Sequence, residues 1–237
     1  MAKNTRKEQN EDLLENPEKV TTEKINKAEA FIENNRKLVT YIGGVIGALI
    51  LIGWFAYGYY EDQSNEAQVE MFPAQFYFDK DSFNLALNGD GASLGFLDIA
   101  NEYSWTEAGN LANFYAGVCY MKLGQYEDAI EYLSAFSAND WVLQARAYSL
   151  IADANMELEL PGEAISHYKK AVDYEPNKSF TPTYMMKLAL AYETMGDWSN
   201  AAEVYEELIS TYPNASQIQD AKRFKARAET EAQRQAS

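Results

Sequence analysis

Residues 182–213 read PTYMMKLALAYETMGDWSNAAEVYEELISTYP: two helical patterns joined at one turn signal. The turn is Gly196-Asp197-Trp198. Glycine tolerates the left-handed backbone a tight interhelix turn needs, and the aromatic that follows can pack inward. On either side stand small residues, Ala189 and Ala201, where two helices must approach closely. Tyr192 fills the turn after Ala189, Tyr205 follows Ala201 by four, and Pro213 stops the second helix.

Two earlier stretches repeat this plan. Residues 110–141 read NLANFYAGVCYMKLGQYEDAIEYLSAFSANDW, and 145–176 read ARAYSLIADANMELELPGEAISHYKKAVDYEP. Gly117 and Ala152 match Ala189, and Ala129 and Ala164 match Ala201. Leu133 and Tyr168 match Tyr205, Tyr120 matches Tyr192 where the middle stretch has Asn155, and Gly124-Gln125-Tyr126 matches the turn. The starts lie 35 and 37 residues apart, against about 34 for an uninterrupted tetratricopeptide repeat. Over 110–213 the chain resembles that family, which implies an all-α solenoid. Three departures stand out. Glu159-Leu160-Pro161 replaces Gly-x-aromatic, Phe136 stands where a small residue is usual, and the first unit has no terminal proline; looser packing is expected there. Residues 217–237, with Ile218, Ala221, Phe224 and Ala228 on one side, read as a helix covering the end of the stack.

Leu38 to Tyr60, LVTYIGGVIGALILIGWFAYGYY, holds no Asp, Glu, Lys, Arg or His. A helix of that length is about 34 Å long, enough for a hydrocarbon core of ~30 Å. A cleaved signal peptide would lie nearer the start and end in small residues. This run follows 37 residues and ends in aromatics, which settle at the membrane–water boundary. Lys24, Lys27, Arg36 and Lys37 precede the run, and Glu61, Asp62, Glu66 and Glu70 follow it. Basic flanks stay cytoplasmic, so the repeats are expected outside the cytoplasm. Gly43 with Gly47, and Gly44 with Ala48, have the spacing that lets helices approach in lipid; glycine is also common in membrane helices generally.

Residues 1–20 are polar and charge-mixed and read as disordered. Residues 21–37 read as a helix, either lying on the membrane surface through Ile25, Ala28, Phe31 and Ile32 or extending the anchor. Residues 61–78 read as a helix packing through Val69, Met71, Phe72, Phe76 and Phe78, kinked or divided at Pro73. A short helix at 81–87, a turn at Asn88-Gly89-Asp90-Gly91 and a helix at 93–103 follow. The divisions expected are 1–37 tail, 38–60 anchor, 61–109 divergent helical repeats, 110–216 tetratricopeptide repeats and 217–237 cap.

Net charge is −16, and residues 1–37 cancel with eight basic and eight acidic side chains. The acidic remainder is a poor partner for nucleic acid. One cysteine, Cys119, permits no intrachain disulfide, and its apolar helical setting reads as structural. His167 is the sole histidine, so a zinc site or a His-based catalytic constellation has no support. No phosphate loop or nucleophile–base pair appears. Neither an enzyme nor a cofactor, metal or small-molecule site is expected.

The repeat resemblance also implies an inner, concave surface. The family's groove positions fall on Leu111, Phe114, Val118 and Met121, then Arg146, Ser149, Asp153 and Met156, then Thr183, Met186, Leu190 and Glu193. The lysine–asparagine clamp by which some members hold a peptide carboxylate would need Phe114 and Val118 to be those residues, so it is missing. These side chains form either an adaptable apolar groove or core filled by neighbouring helices.

The wider layout, with DSFNLAL at 81–87 and GNLANFYAG at 109–117, resembles the ancillary subunit of the bacterial SecYEG translocon, the YfgM-like family in its Bacteroidota form. That resemblance implies a single-pass inner-membrane protein with a periplasmic repeat domain. Its partners would be the translocon, a periplasmic prolyl isomerase and exported chains. A scaffold or regulator of division, wall or outer-membrane assembly, binding one dedicated partner, is the other reading.

Overall fold

The computed structural model describes residues 17–237, so the reading of residues 1–16 as disordered falls outside it. Among the described residues every regular element is an α-helix. The chain divides into two units, one ending at Tyr59 and the other running from Tyr60 to Ser237.

In the first unit, α1 (Pro17–Asn34) begins inside the stretch read as disordered. Proline suits a helix start, where its missing N–H costs nothing. Asn35 separates α1 from α2 (Arg36–Asp79), and its side-chain amide caps the Phe31 carbonyl at 3.0 Å. Ile25, Phe31 and Ile32 are exposed. The apolar part of α2 is long and apolar enough to cross a membrane and buries nothing within the protein.

The second unit opens with the end of α2. Of the kink or division expected at Pro73, the division does not occur, because α2 runs through it to Asp79. The carbonyl that Pro73 leaves without a donor belongs to Val69, which is exposed, so water can satisfy it. The packing face matches the expected one in part, through Met71 and Phe78. Ala67, Met71 and Ala74 are buried, whereas Val69, Phe72 and Phe76 are exposed. Phe78 packs edge-on to Tyr115 at 5.2 Å between ring centres, and Tyr115 stacks on Phe96 at 5.1 Å. Short helices α3 (Phe83–Asn88) and α4 (Phe96–Glu102) complete this end. Between them Asp90 accepts from the Ala92 and Ser93 amides and the Tyr77 hydroxyl.

Three hairpins follow: α5 (Glu107–Leu123) with α6 (Tyr126–Ala135), α7 (Trp141–Glu157) with α8 (Pro161–Asp173), and α9 (Thr181–Thr194) with α10 (Trp198–Thr211). The small residues read from the sequence are where helices touch: Ala129, Ala152, Ala164, Ala189 and Ala201 are fully buried. A Cβ on Gly117 would lie 2.5 Å from Leu133 Cγ. Packing in the first unit is not loose, because Phe136 is buried with its ring 5.2 Å from that of Phe114. In place of a terminal proline, Asn110 fixes the end of α6. Its amide donates to the Ser137 carbonyl at 2.7 Å and accepts from the Ser137 N–H at 3.1 Å. The last helix, α11 (Ile218–Gln235), buries Ile218, Ala221 and Ala228, with Phe224 against Tyr205.

The middle turn keeps its shape without glycine. Glu159 has φ 59°, beside 73° for Gly124 and 72° for Gly196. A residue with a Cβ adopts that region at a cost of ~1–2 kcal/mol, while glycine loses ~0.5–1 kcal/mol in chain entropy. Glu159→Gly is therefore expected to stabilise the fold by up to about 1 kcal/mol, read as a higher urea midpoint. An unchanged or lower midpoint would show that the glutamate side chain makes up the difference.

Candidate partner groove

The first helices of the hairpins, α5, α7 and α9, carry the positions singled out as an inner surface. The structure separates them into three kinds.

In the first unit the central positions are core. Phe114 and Val118 are buried with Leu133, Phe136, Ala147 and Ile151. Ala147 and Ile151 come from α7, which fills the space a groove would need. Leu111 and Met121 are half-buried against the same cluster. Ser149 on α7 is also buried. These three buried residues, Phe114, Val118 and Ser149, offer no open surface.

In the second and third units the acidic positions, Asp153 and Glu193, are tied to the helix that begins the next element of the stack. Lys187 Nζ donates to both Asp153 oxygens at 2.6 and 2.9 Å and reaches Ser149 Oγ at 3.5 Å. The buried Tyr168 hydroxyl donates to Asp153 at 2.5 Å. One unit on, Arg227 pairs with Glu193, and the fully buried Tyr205 donates its hydroxyl to Glu193 at 3.2 Å. Gln217 Nε2 donates to Thr183 Oγ1 at 2.9 Å. Asp153–Lys187, Thr183–Gln217 and Glu193–Arg227 each span 34 residues, the length of one repeat. Each carboxylate is thus held between a tyrosine from the hairpin's own second helix and a cation on the following first helix. Burial, followed by the Asp153 charge, raises the Tyr168 hydroxyl far above its ordinary range; burial and Glu193 do the same to Tyr205. Both tyrosines stay protonated donors. Partly exposed pairs of this kind contribute ~1 kcal/mol or less each, and their effect is to fix the offset between hairpins.

The remainder is open. Arg146 and Thr183 are exposed, Met156 and Met186 are half-buried, and Leu190 is 40% exposed. Met156, Leu190 and Phe224 lie 34 residues apart, so they take equivalent places on α7, α9 and α11. The Phe224 ring carries the guanidinium groups of Arg223 and Arg227 at 5.0 and 4.9 Å. Lys187, Arg227 and Gln217 were not singled out from the sequence, and Phe224 only as part of the cap's packing face. Adding one repeat length to Asp153, Glu193, Thr183 and Leu190 finds all four. Among the described residues no cluster of three or more His, Cys, Asp or Glu side chains has a metal-holding arrangement.

The membrane-helix positions Gly43, Gly44, Gly47 and Ala48 all lie in α2. No neighbouring atom comes within 4 Å of a Cβ placed on any of the three glycines.

Comparison with known families and structures agrees with this geometry. The tetratricopeptide repeat family matches residues 117–182 and again 184–215. The MamA protein crystal structure aligns with a TM-score of 0.51 and 22% identity, over 70% of this chain and 88% of that one. The crystal structure of the nearly identical repeats of a Podosopora anserina putative kinesin light chain aligns with a TM-score of 0.54 and 15% identity, over 73% and 90%. A search of curated proteins gave no significant match. Residues 117–215 carry tetratricopeptide repeats, and among the described residues the fold is an all-helical repeat solenoid preceded in the chain by one helix apolar enough for a membrane. Such repeats are scaffolds for protein–protein interaction, and that is the class of function they give it.

Proposed function

We propose that this protein is a single-pass inner-membrane subunit that sits beside the Sec translocon. Its tail, residues 1–37, lies in the cytoplasm, and its repeats, within 61–237, stand in the periplasm. There it binds the translocon and a periplasmic prolyl isomerase and assists exported chains. The observation that carries this reading is the order along the chain: basic residues, one apolar span, then acidic residues leading into an interaction scaffold. Lys24, Lys27, Arg36 and Lys37 would hold the tail inside. The sequence resemblance to the YfgM-like family supports the translocon in particular.

Within this reading the adaptable part of the inner surface is Met156, Met186 and Leu190, with Arg146 beside them. Methionine repacks readily and suits variable partners. Leu111, Met121, Asp153, Thr183 and Glu193 shape its edges. Gly43, Gly44, Gly47 and Ala48 would dock the anchor against another membrane helix. The second reading, an envelope scaffold with one dedicated partner, would use the same surface.

Purification of the full chain in mild detergent, followed by identification of bound proteins, separates the two. Translocon subunits and a prolyl isomerase are expected. Recovery of division or wall-assembly proteins instead would favour the scaffold. Gly43→Leu combined with Gly47→Leu is expected to lower translocon recovery while the repeat domain keeps its melting temperature. Undiminished recovery would sink glycine-face docking.

A further inference from the structure

Beyond Tyr60, α2 meets the rest of its unit along one edge. Ala67 and Ala74, seven residues apart, are fully buried there, with Met71 beside them. The opposite edge carries Val69, Phe72 and Phe76, which are 71, 73 and 53% exposed. Their spacing is three, then four, and Asn65 stands four before Val69. That is the alternation of a coiled-coil seam. In that register Ala67 and Ala74 take the position facing directly away from the seam, so each copy's own domain would lie on the outside of a helix pair.

Charge selects the occupant. Residues 61–140 hold 14 acidic and two basic side chains, a surface on which two copies would ordinarily repel. The seam is the exception. Its flanks are Gln68, Pro73, Gln75 and Lys80, and Lys80 reaches over the Phe76 ring at 5.7 Å. In a parallel pair Gln68 faces Pro73 of the other copy and Gln75 faces Lys80, with no like-charge contact. Repulsion is confined to the start, where Glu61 would face Glu66, and to Asp62 and Asp79 at either end. A basic partner helix would find little to pair with along these flanks.

The geometry points to a second copy of this chain, packed in parallel through Asn65, Val69, Phe72 and Phe76. The proposal rests on the anchored reading above. Three apolar side chains a copy fall far short of the ~800 Å² per partner that free proteins use. A shared membrane sets both helices in the same sense and raises their effective concentration.

The test uses the full chain in its own membranes. Cys119 is buried, and Cys119→Ala gives a background for single cysteines at Val69, Phe72, Phe76 and, as an exposed control, Trp105. After mild copper-catalysed oxidation, positions 69, 72 and 76 are expected to give roughly five-fold more disulfide-linked homodimer than Trp105→Cys. Phe72→Asp with Phe76→Asp should abolish the Val69→Cys crosslink. Equal crosslinking at all four positions, none at any, or crosslinks to a different protein alone would overturn the seam. A carbonate wash of the same membranes keeps the two ideas apart. Chain retained without homodimer refutes the seam only, whereas chain released refutes the anchor and, with it, the tethered pair.

Discussion

Gly109→Ala is expected to cost about 3 kcal/mol or more, beyond the usual ~1–3 kcal/mol of core overpacking, even after the ~1 kcal/mol gained in helix propensity. The added Cβ would sit 2.0 Å from the Tyr103 carbonyl oxygen and 2.5 Å from its carbon. Both are backbone atoms, so no side chain can swing away. The carbonyl itself is pinned. The buried Thr106 hydroxyl donates to it at 2.8 Å and accepts from the Gly109 N–H at 3.0 Å, capping α5. Moving Tyr103 would therefore break the cap and pull the end of α4 from its core. For a domain of this size the melting temperature should fall by roughly 6–12 °C. Gly162→Ala is the control, since nothing lies within 4 Å of its Cβ, and it should be neutral or slightly stabilising. Equal melting of the two variants would mean that the chain before α5 shifts freely.

The difference between those two glycines is invisible in the sequence, and it shows where sequence reading ends. The hairpins were legible because close helix approach demands small residues, and Gly117, Ala129, Ala152, Ala164, Ala189 and Ala201 recur at one-repeat intervals. The turn at Glu159 was not legible from its residue type: looser packing was expected there, yet its φ of 59° is close to the 73° and 72° of Gly124 and Gly196, because the neighbouring helices dictate the turn. Which apolar residues of α2 face inward was legible only for Met71 and Phe78. Val69, Phe72 and Phe76 have the helical period of a packing face, yet the opposite edge of α2, built on two alanines, is the buried one. Small residues permit close packing without raising apolarity, so a hydrophobic pattern points at the wrong side. Phe114 and Val118 had two readings, open groove or filled core, and they take the second. They occupy groove positions in the family frame, but whether a groove is open depends on the size of residues far along the chain, here Phe136 and Ile151. The 34-residue ladder of Asp153–Lys187 and Glu193–Arg227 was available from spacing alone, since opposite charges one repeat apart fall side by side on successive helices.

Alkaline pH is expected to destabilise the repeat domain steeply, beginning near pH 9. Burial pushes the Cys119 thiol from its ordinary value of 9.0 up to about 12. In the unfolded chain that thiol loses its proton near pH 9, whereas in the folded chain it keeps it for about three pH units more. Across that window the native state holds the extra proton. Stability is therefore complete below pH 9 and falls as pH rises, by about 1.4 kcal/mol for each unit. Tyr168 and Tyr205 add to the slope above pH 10, where unfolded tyrosines begin to ionise and these two, buried against Asp153 and Glu193, do not. Urea midpoints measured at half-unit steps from pH 8 to 11 should stay level to pH 9, decline, and then decline faster. Cys119→Ala separates the contributions. It lowers the whole curve by the cavity it leaves, but it should flatten the stretch between pH 9 and 10 while keeping the steeper fall above. A wild-type curve flat to pH 11 would show that water or hydroxide reaches these groups in the folded stack. That would contradict a solenoid whose thiol is fully buried in the core cluster that α5 shares with α3, α4 and the end of α2.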